Sequence, residues 1–150
     1  MSGLQIRPAT PEDLAAILVL VREDSKHYFE EPDTVSDNQR AAIEEIGSDA
    51  HQDLLVGEID GTVVCTAQVT WMRMLAGDGG LYCQVEAVRT SAARRGQGIG
   101  ATLMAHIENE ARRRGAARMQ LTTNRERVRA HGFYERLGFV DSHIGMKKYF

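Results

Sequence analysis

Apolar residues along this chain recur in two rhythms, a period of about 3.6 and a period of 2, and the switches between them predict its elements. Residues 4–7 alternate apolar and polar before Pro8, which predicts a short strand. Thr10-Pro11-Glu12-Asp13 reads as a helix start. Thr10 can cap, Pro11 fits the first turn, and the acids favour the positive helix end. Leu14, Ile17, Leu18 and Val21 then keep helical spacing, carrying the helix to about Glu23. After an acidic, irregular stretch at residues 29–33, Ser36 and Gln39 resemble a capping box. They open a second helix to about Ile46, with Gly47 as its expected stop.

Residues 54–59 and 62–74 predict two strands, and Asp60-Gly61 between them is a hairpin signal. Residues 76–80 form a turn, and residues 81–90 a strand with Leu81, Cys83, Val85 and Ala87 on one face. Val88 breaks that alternation, marking a bulge or a strand end. Ile99, Leu103, Ile107 and Ala111 form one stripe of a helix closed by Gly115. A strand at 117–122 follows, then a helix at 125–137 with Ala130, Phe133, Tyr134 and Leu137 inward and Gly138 at its end. Residues 139–149 predict a last strand or strand pair. The order βααβββαβαβ implies an α/β layer fold around a mixed sheet.

At 150 residues, with no linker, repeat or low-complexity tract, one domain over 1–150 is expected. The net charge of −3 gives no general pull toward nucleic acid or an anionic membrane, so neither is expected as a partner. No apolar run is long enough to span a bilayer, and residues 1–5 lack the features of a signal peptide. A cytoplasmic protein is expected. Cys65 and Cys83 lie in strand-like stretches and are expected as buried free thiols. Neither they nor the five histidines have metal-ligand spacing, so no metal is expected.

The chemistry concentrates at Arg95-Gly96-Gln97-Gly98-Ile99-Gly100, between a strand and a helix. Such a turn presents bare backbone N–H groups at a positive helix end, which suits a pyrophosphate. The segment 88–100 resembles motif A of the GNAT acyltransferase superfamily, and Phe133-Tyr134-Glu135-Arg136-Leu137-Gly138-Phe139 matches that family's F-Y-E-x-L-G-F segment. The resemblance implies a GNAT-type fold, a central mixed, mostly antiparallel sheet flanked by about four helices. It implies acetyl-CoA as cosubstrate and an N-acetyltransferase acting by direct attack of a primary amine in a ternary complex.

Residue by residue, the resemblance places amides from Gln97 through Ala101 on the phosphates, with Gly96, Gly98, Ile99 and Gly100 shaping the turn. Arg94 and Arg95 add charge there. The pantetheine arm is expected along the backbone of Ala87, Val88 and Arg89, Val88 above all, as an added strand. An amide near Val88 is also the candidate oxyanion donor. An alkyl ammonium must lose a proton before it attacks, and Glu86 is the candidate base. Tyr134 is the candidate acid for the leaving thiolate. Where many members carry an asparagine seven residues before that tyrosine, this chain has Arg127, a candidate for the CoA phosphates.

Around the acceptor, Glu23, Asp24, Glu30, Glu31 and Asp33 suggest an acidic rim suited to a cationic amine, with Tyr28 and Phe29 as apolar wall. Trp71, Met72, Arg73 and Met74 are read either as pocket lining or as packed strand. His106, His131 and the run Arg112-Arg113-Arg114 are read as helix surface. A homodimer is expected from family habit. The rival readings are a non-catalytic acyl-CoA-binding sensor and a nucleotide-binding protein of another α/β fold. The latter lacks a G-x-G-x-x-G fingerprint and a Gly-Lys-Ser/Thr ending.

Overall fold

The computed structural model describes residues 3–25 and 34–150. Five strands form one sheet in the order β1 (Gln5–Pro8), β2 (Gln52–Ile59), β3 (Thr62–Arg73), β4 (Leu81–Thr90), β5 (Arg118–Leu121). The first three pairings are antiparallel and β4–β5 is parallel, so the sheet is mixed and mostly antiparallel. Helices α1 (Leu14–Ser25) and α2 (Asp37–Ser48) cover one face, and α4 (Ile99–Arg113) covers the other. A short turn with left-handed backbone at Gly77, Asp78 and Gly79, α3 (Ala76–Gly79), joins β3 to β4, and α5 (Val128–Arg136) follows β5.

The local signals act as expected at most joints. The Asp13 carboxylate accepts the Thr10 N–H at 2.8 Å, locking the 3-10 turn Pro11–Asp13 that leads into α1. Ser36 and Gln39 exchange bonds at 3.1 and 3.0 Å. Asp60 and Gly61 take φ of 50° and 76°, the left-handed pair of a tight hairpin. Leu103, Ile107 and Ala111 bury α4 against Val69, Cys83 and Val85 of the sheet. On the opposite face Leu14, Ile17 and Leu18 of α1 meet Ile43 of α2 and Val56 of β2. Both cysteines are free and buried, and burial pushes each thiol up to about 11.

Four expectations are corrected. Gly47 does not stop α2, which continues to Ser48 and ends at Asp49. Nothing would meet a Cβ at Gly47 and its φ is not positive, so it sits in the helix as an ordinary residue. Helix α5 starts at Val128, with Arg127 as its N-cap, because residues 125–127 form a turn instead. Ala87 leaves the buried stripe and is exposed, at φ 52°. No strand forms in residues 139–150. The N–H of Phe139 closes α5 on the Tyr134 carbonyl, and the segment then passes Thr122 at Gly145. Alternation gives a segment the propensity to extend, but a strand needs a ladder, and none forms along this one.

Candidate active site

A bulge in β4 sets the geometry of the site. Gln68 of β3 faces Glu86, yet Thr66 faces Arg89, so Ala67 alone opposes both Ala87 and Val88. The extra residue turns Ala87 out of the α4-facing core and lets Val88 pack against that core instead. On its other edge β4 pairs with β5 only from Tyr82–Arg118 to Val85–Leu121. Beyond Val85 the two strands part. The β5-facing edge of Ala87, Val88 and Arg89 is left without a strand partner among the described residues, while β3 still holds the opposite edge.

That open edge runs into the glycine turn. A 3-10 turn at Ala92–Arg94 is followed by Arg95, and then Gly96 and Gly98 at φ 77° and 79°. No neighbour lies within 4 Å of the place a Cβ would take at either glycine. They are there for their left-handed backbone. Gly100 is different, because a Cβ would meet Phe133 Cζ at 3.3 Å. Its bareness lets α4 lie close to α5. The first helical bond of α4 is donated by the Thr102 N–H to the Gly98 carbonyl at 3.0 Å. The amides of Ile99, Gly100 and Ala101 therefore have no acceptor within the helix and point out of its N-terminus. The Ile99 side chain is fully buried, which anchors this turn to the core. Arg94, Arg95 and Gln97 are exposed around it.

Tyr134 approaches from α5. It is half-buried and packs edge-on against Phe133 and Phe139, with ring centroids 5.1 and 5.8 Å away. Burial raises its pKa, and the nearby Arg127 and Arg89 pull the other way. Asp24 and Glu86 also act on it, so the phenol stands among charged groups from α1, β4 and the start of α5. Glu86 lies on the α1 face of β4 and is exposed. Its Oε1 accepts from Gln84 Nε2 at 2.9 Å, and Gln84 in turn accepts from Gln120 at 2.7 Å. Next to the bulge, an apolar cavity of about 140 Å³ opens between α1, α2 and the sheet. Ile17, Val21, Ile43, Gln68 and Ala87 are among its walls. A cleft of about 180 Å³ on the α4 face, over Trp71 and Arg114, contains none of the glycine-turn residues.

The structure thus brings Glu86, Tyr134, Arg89, Arg127 and the glycine turn to one end of β4. Asp24 and Glu23 prove committed rather than free. Asp24 is hydrogen-bonded by Arg127, and Glu23 accepts the Ala92 N–H at 2.8 Å, tying α1 to the turn. Sequence reasoning gave neither partner, because both contacts join residues more than 60 positions apart. Tyr28, Phe29, Glu30, Glu31 and Asp33 of the expected rim lie outside the described residues. Trp71 is packed strand, its Nε1 bonded to Asp53 at 2.7 Å under the Arg114 guanidinium. His131 is half-buried, with Nε2 2.8 Å from the Asn124 carbonyl, whereas His106 is exposed. Arg112, Arg113 and Arg114 pair with Glu108 and Glu110 at the helix end. Among the described residues no group of three or more metal-ligating side chains gathers, and no helix is long and apolar enough to cross a membrane.

The family model described as the acetyltransferase (GNAT) family matches residues 18–139. A curated aminoalkylphosphonate N-acetyltransferase of Salmonella typhimurium is 48% identical over 54 residues, 36% of this chain and 35% of that protein. The match thus spans about a third of the relative's length. A solved structure titled a transcriptional regulator from Bacillus halodurans C-125 is 34% identical, covers 98% of this chain and 99% of its own, and superposes with a TM-score of 0.92. A putative acetyltransferase from Agrobacterium tumefaciens C58 is 27% identical, over 97% of this chain and 99% of its own, at a TM-score of 0.87.

Proposed function

From a chain that belongs to the acetyltransferase (GNAT) family, we propose an enzyme that moves the acetyl group of acetyl-CoA directly onto a primary amine. One observation supports this most: the unpaired edge of β4 leads into an amide-lined helix N-terminus with Glu86 and Tyr134 at its flanks. The residues fit the cosubstrate. Amides of Ile99, Gly100 and Ala101 face an anion, Gly96 and Gly98 leave open space before them, and Arg94 and Arg95 add charge. Gln97 completes the turn. The backbone of Ala87, Val88 and Arg89 offers an extended arm the hydrogen bonds of a missing strand.

Acetyl-CoA supplies an activated acetyl thioester, and the chain does the rest. Glu86 accepts the amine's proton, directly or through water. The Val88 amide faces the carbonyl oxygen as negative charge develops there. Tyr134, kept protonated by burial, donates to the departing sulfur. The cavity beside Ala87 receives the acceptor. The curated relative's name suggests a small aminoalkyl compound bearing an acidic group. We place the enzyme in the cytoplasm, as one domain.

The test is the melting temperature with saturating acetyl-CoA, beside ATP and NAD, followed by thiol release across an amine panel. Ligand at about 100 times its dissociation constant stabilises by roughly 2.7 kcal/mol. A shift with acetyl-CoA alone, then turnover, is the expected result. No shift sinks the reading. A second reading, a non-catalytic acyl-CoA sensor, is favoured by the relative titled a transcriptional regulator. It predicts a shift without turnover of any amine.

A further inference from the structure

Asp24 near the end of α1, Arg89 near the end of β4 and Arg127 at the start of α5 meet beside Tyr134. Arg127 is hydrogen-bonded to Asp24 Oδ2. Arg89 Nε stands 4.0 Å from that same oxygen, beyond hydrogen-bond reach. Arg89 Nη1 donates to the Val88 carbonyl at 2.9 Å, while its Nε is buried with no partner among the described residues. The Arg89 side chain is only 11% exposed. Among the described residues two guanidiniums therefore share one carboxylate, and Arg89 Nε, in a place largely closed to water, keeps an unspent donor. The nearby carboxylates of Glu23 and Glu86 bond the Ala92 N–H and Gln84 instead, and neither accepts from Arg89. A buried guanidinium N–H left without an acceptor is costly, and an anionic ligand removes that cost.

We propose that Arg89 and Arg127 form an anion subsite for the acceptor, so that the amine acetylated here carries a phosphonate, phosphate or carboxylate group. The assignment rests on the donor site proposed above. It favours the acceptor over the donor's phosphates because of where the pair stands. The amides of Ile99 to Ala101, with Arg94 and Arg95, already serve the far end of the turn. The arginine pair does not line the apolar cavity, but residues close to Asp24 and Arg89 in the chain do. Val21, which lines that cavity, lies one turn before Asp24, and Ala87, another wall, lies two residues before Arg89. A short aminoalkyl chain would lie against the cavity, with its anion on the guanidiniums and its amine on the Glu86 side. The guanidinium fork suits a phosphonate or carboxylate geometrically. The expected attraction of a cationic acceptor to Asp24 gives way, since Arg127 neutralises that carboxylate.

The experiment compares 2-aminoethylphosphonate, β-alanine and propylamine as acceptors at saturating acetyl-CoA, in the full chain and in Arg89→Lys and Arg127→Gln. The phosphonate or β-alanine should exceed propylamine in kcat/KM by roughly 10- to 100-fold, the worth of charge-assisted hydrogen bonds. Arg127→Gln should erase most of that preference while leaving the KM for acetyl-CoA nearly unchanged. A wild-type preference for propylamine overturns the proposal. So does a variant that loses acetyl-CoA affinity but keeps acceptor preference, which assigns the pair to the donor's phosphates. If Arg89→Lys does not fold, Arg127→Gln, at a less buried position, carries the test. Calorimetric titration of methylphosphonate into the acetyl-CoA-saturated protein reads the subsite without turnover. Binding lost in Arg127→Gln upholds it, and absence of binding in the wild type overturns it. A failed acetyl-CoA melting shift instead rejects the donor site, which keeps the two failures apart.

Discussion

Tyr134 holds its proton because its ring is packed between Phe133 and Phe139 and its phenol is largely removed from water. The positive charges of Arg127 and Arg89 lean against that effect. Tyr134→Phe keeps the packing and removes only the hydroxyl. Turnover should fall on the order of 100-fold, within the usual range for one proton-transfer group, with acetyl-CoA affinity nearly unchanged, as kcat and a binding titration would show. Glu86 is exposed and, among the described residues, bonded to Gln84 alone, so Glu86→Gln should fold normally. Its turnover should drop and rise more steeply with pH, since free amine must then come from solution. An unchanged pH–rate profile would exclude Glu86 as the base.

The glycine turn works as an element, and its glycines differ in kind. At Gly98 the φ of 79° is the constraint, so Gly98→Val strains the turn on the order of 1–2 kcal/mol and tilts the amides that follow. At Gly100 the constraint is Phe133, whose ring any side chain would strike. Gly98→Val should abolish the acetyl-CoA melting shift while leaving circular dichroism close to that of the parent. Gly100→Val should also lower the melting temperature itself, because it pushes α5 from α4. Equal melting temperatures for the two variants would refute this division. The bulge in β4 is the complementary element. By adding one residue it turns Ala87 toward the cavity and Val88 toward the core at the same strand end.

At the scale of the molecule, Arg7 links three parts of the fold. It bonds Asp13 at 2.7 and 2.9 Å and Glu58 at 2.8 and 3.1 Å, joining β1, β2 and the entrance to α1. That guanidinium holds the Asp13 carboxyl below its ordinary range, and Arg113 and Arg114 hold Glu110 down to about 2. Both pKa values are depressed on folding, so their stabilisation is complete above the ordinary carboxylate range and is lost as pH falls through the folded values. Melting temperature should decline from about pH 5 downward. Asp13→Asn should lower it at pH 6 and flatten the decline, whereas Glu110→Gln, at an exposed pair, should change little. The homodimer proposed from the family resemblance would use the open edge of β5 and the exposed Val140, Ile144, Met146 and Tyr149. Sedimentation of the chain at micromolar concentration checks this.

The sequence by itself determined what depends on near neighbours. Thr10 and Ser36 start helices, Asp60-Gly61 turns a hairpin, the 99–111 stripe buries α4, and the glycine turn with the Phe133–Phe139 segment points to the family. Each is written within a few residues, where capping, backbone freedom and periodicity operate. Only the tertiary structure decided which charges meet. Arg127 reaches Asp24 across 103 positions and Glu23 reaches Ala92 across 69, so the two described members of the expected acidic rim are internally paired. It also decided that Ala87 faces outward and that residues 139–150 stay out of the sheet. A strand's side-chain phase and its very existence are set by the ladder beside it, and that partner is brought in by the fold, not by the local pattern.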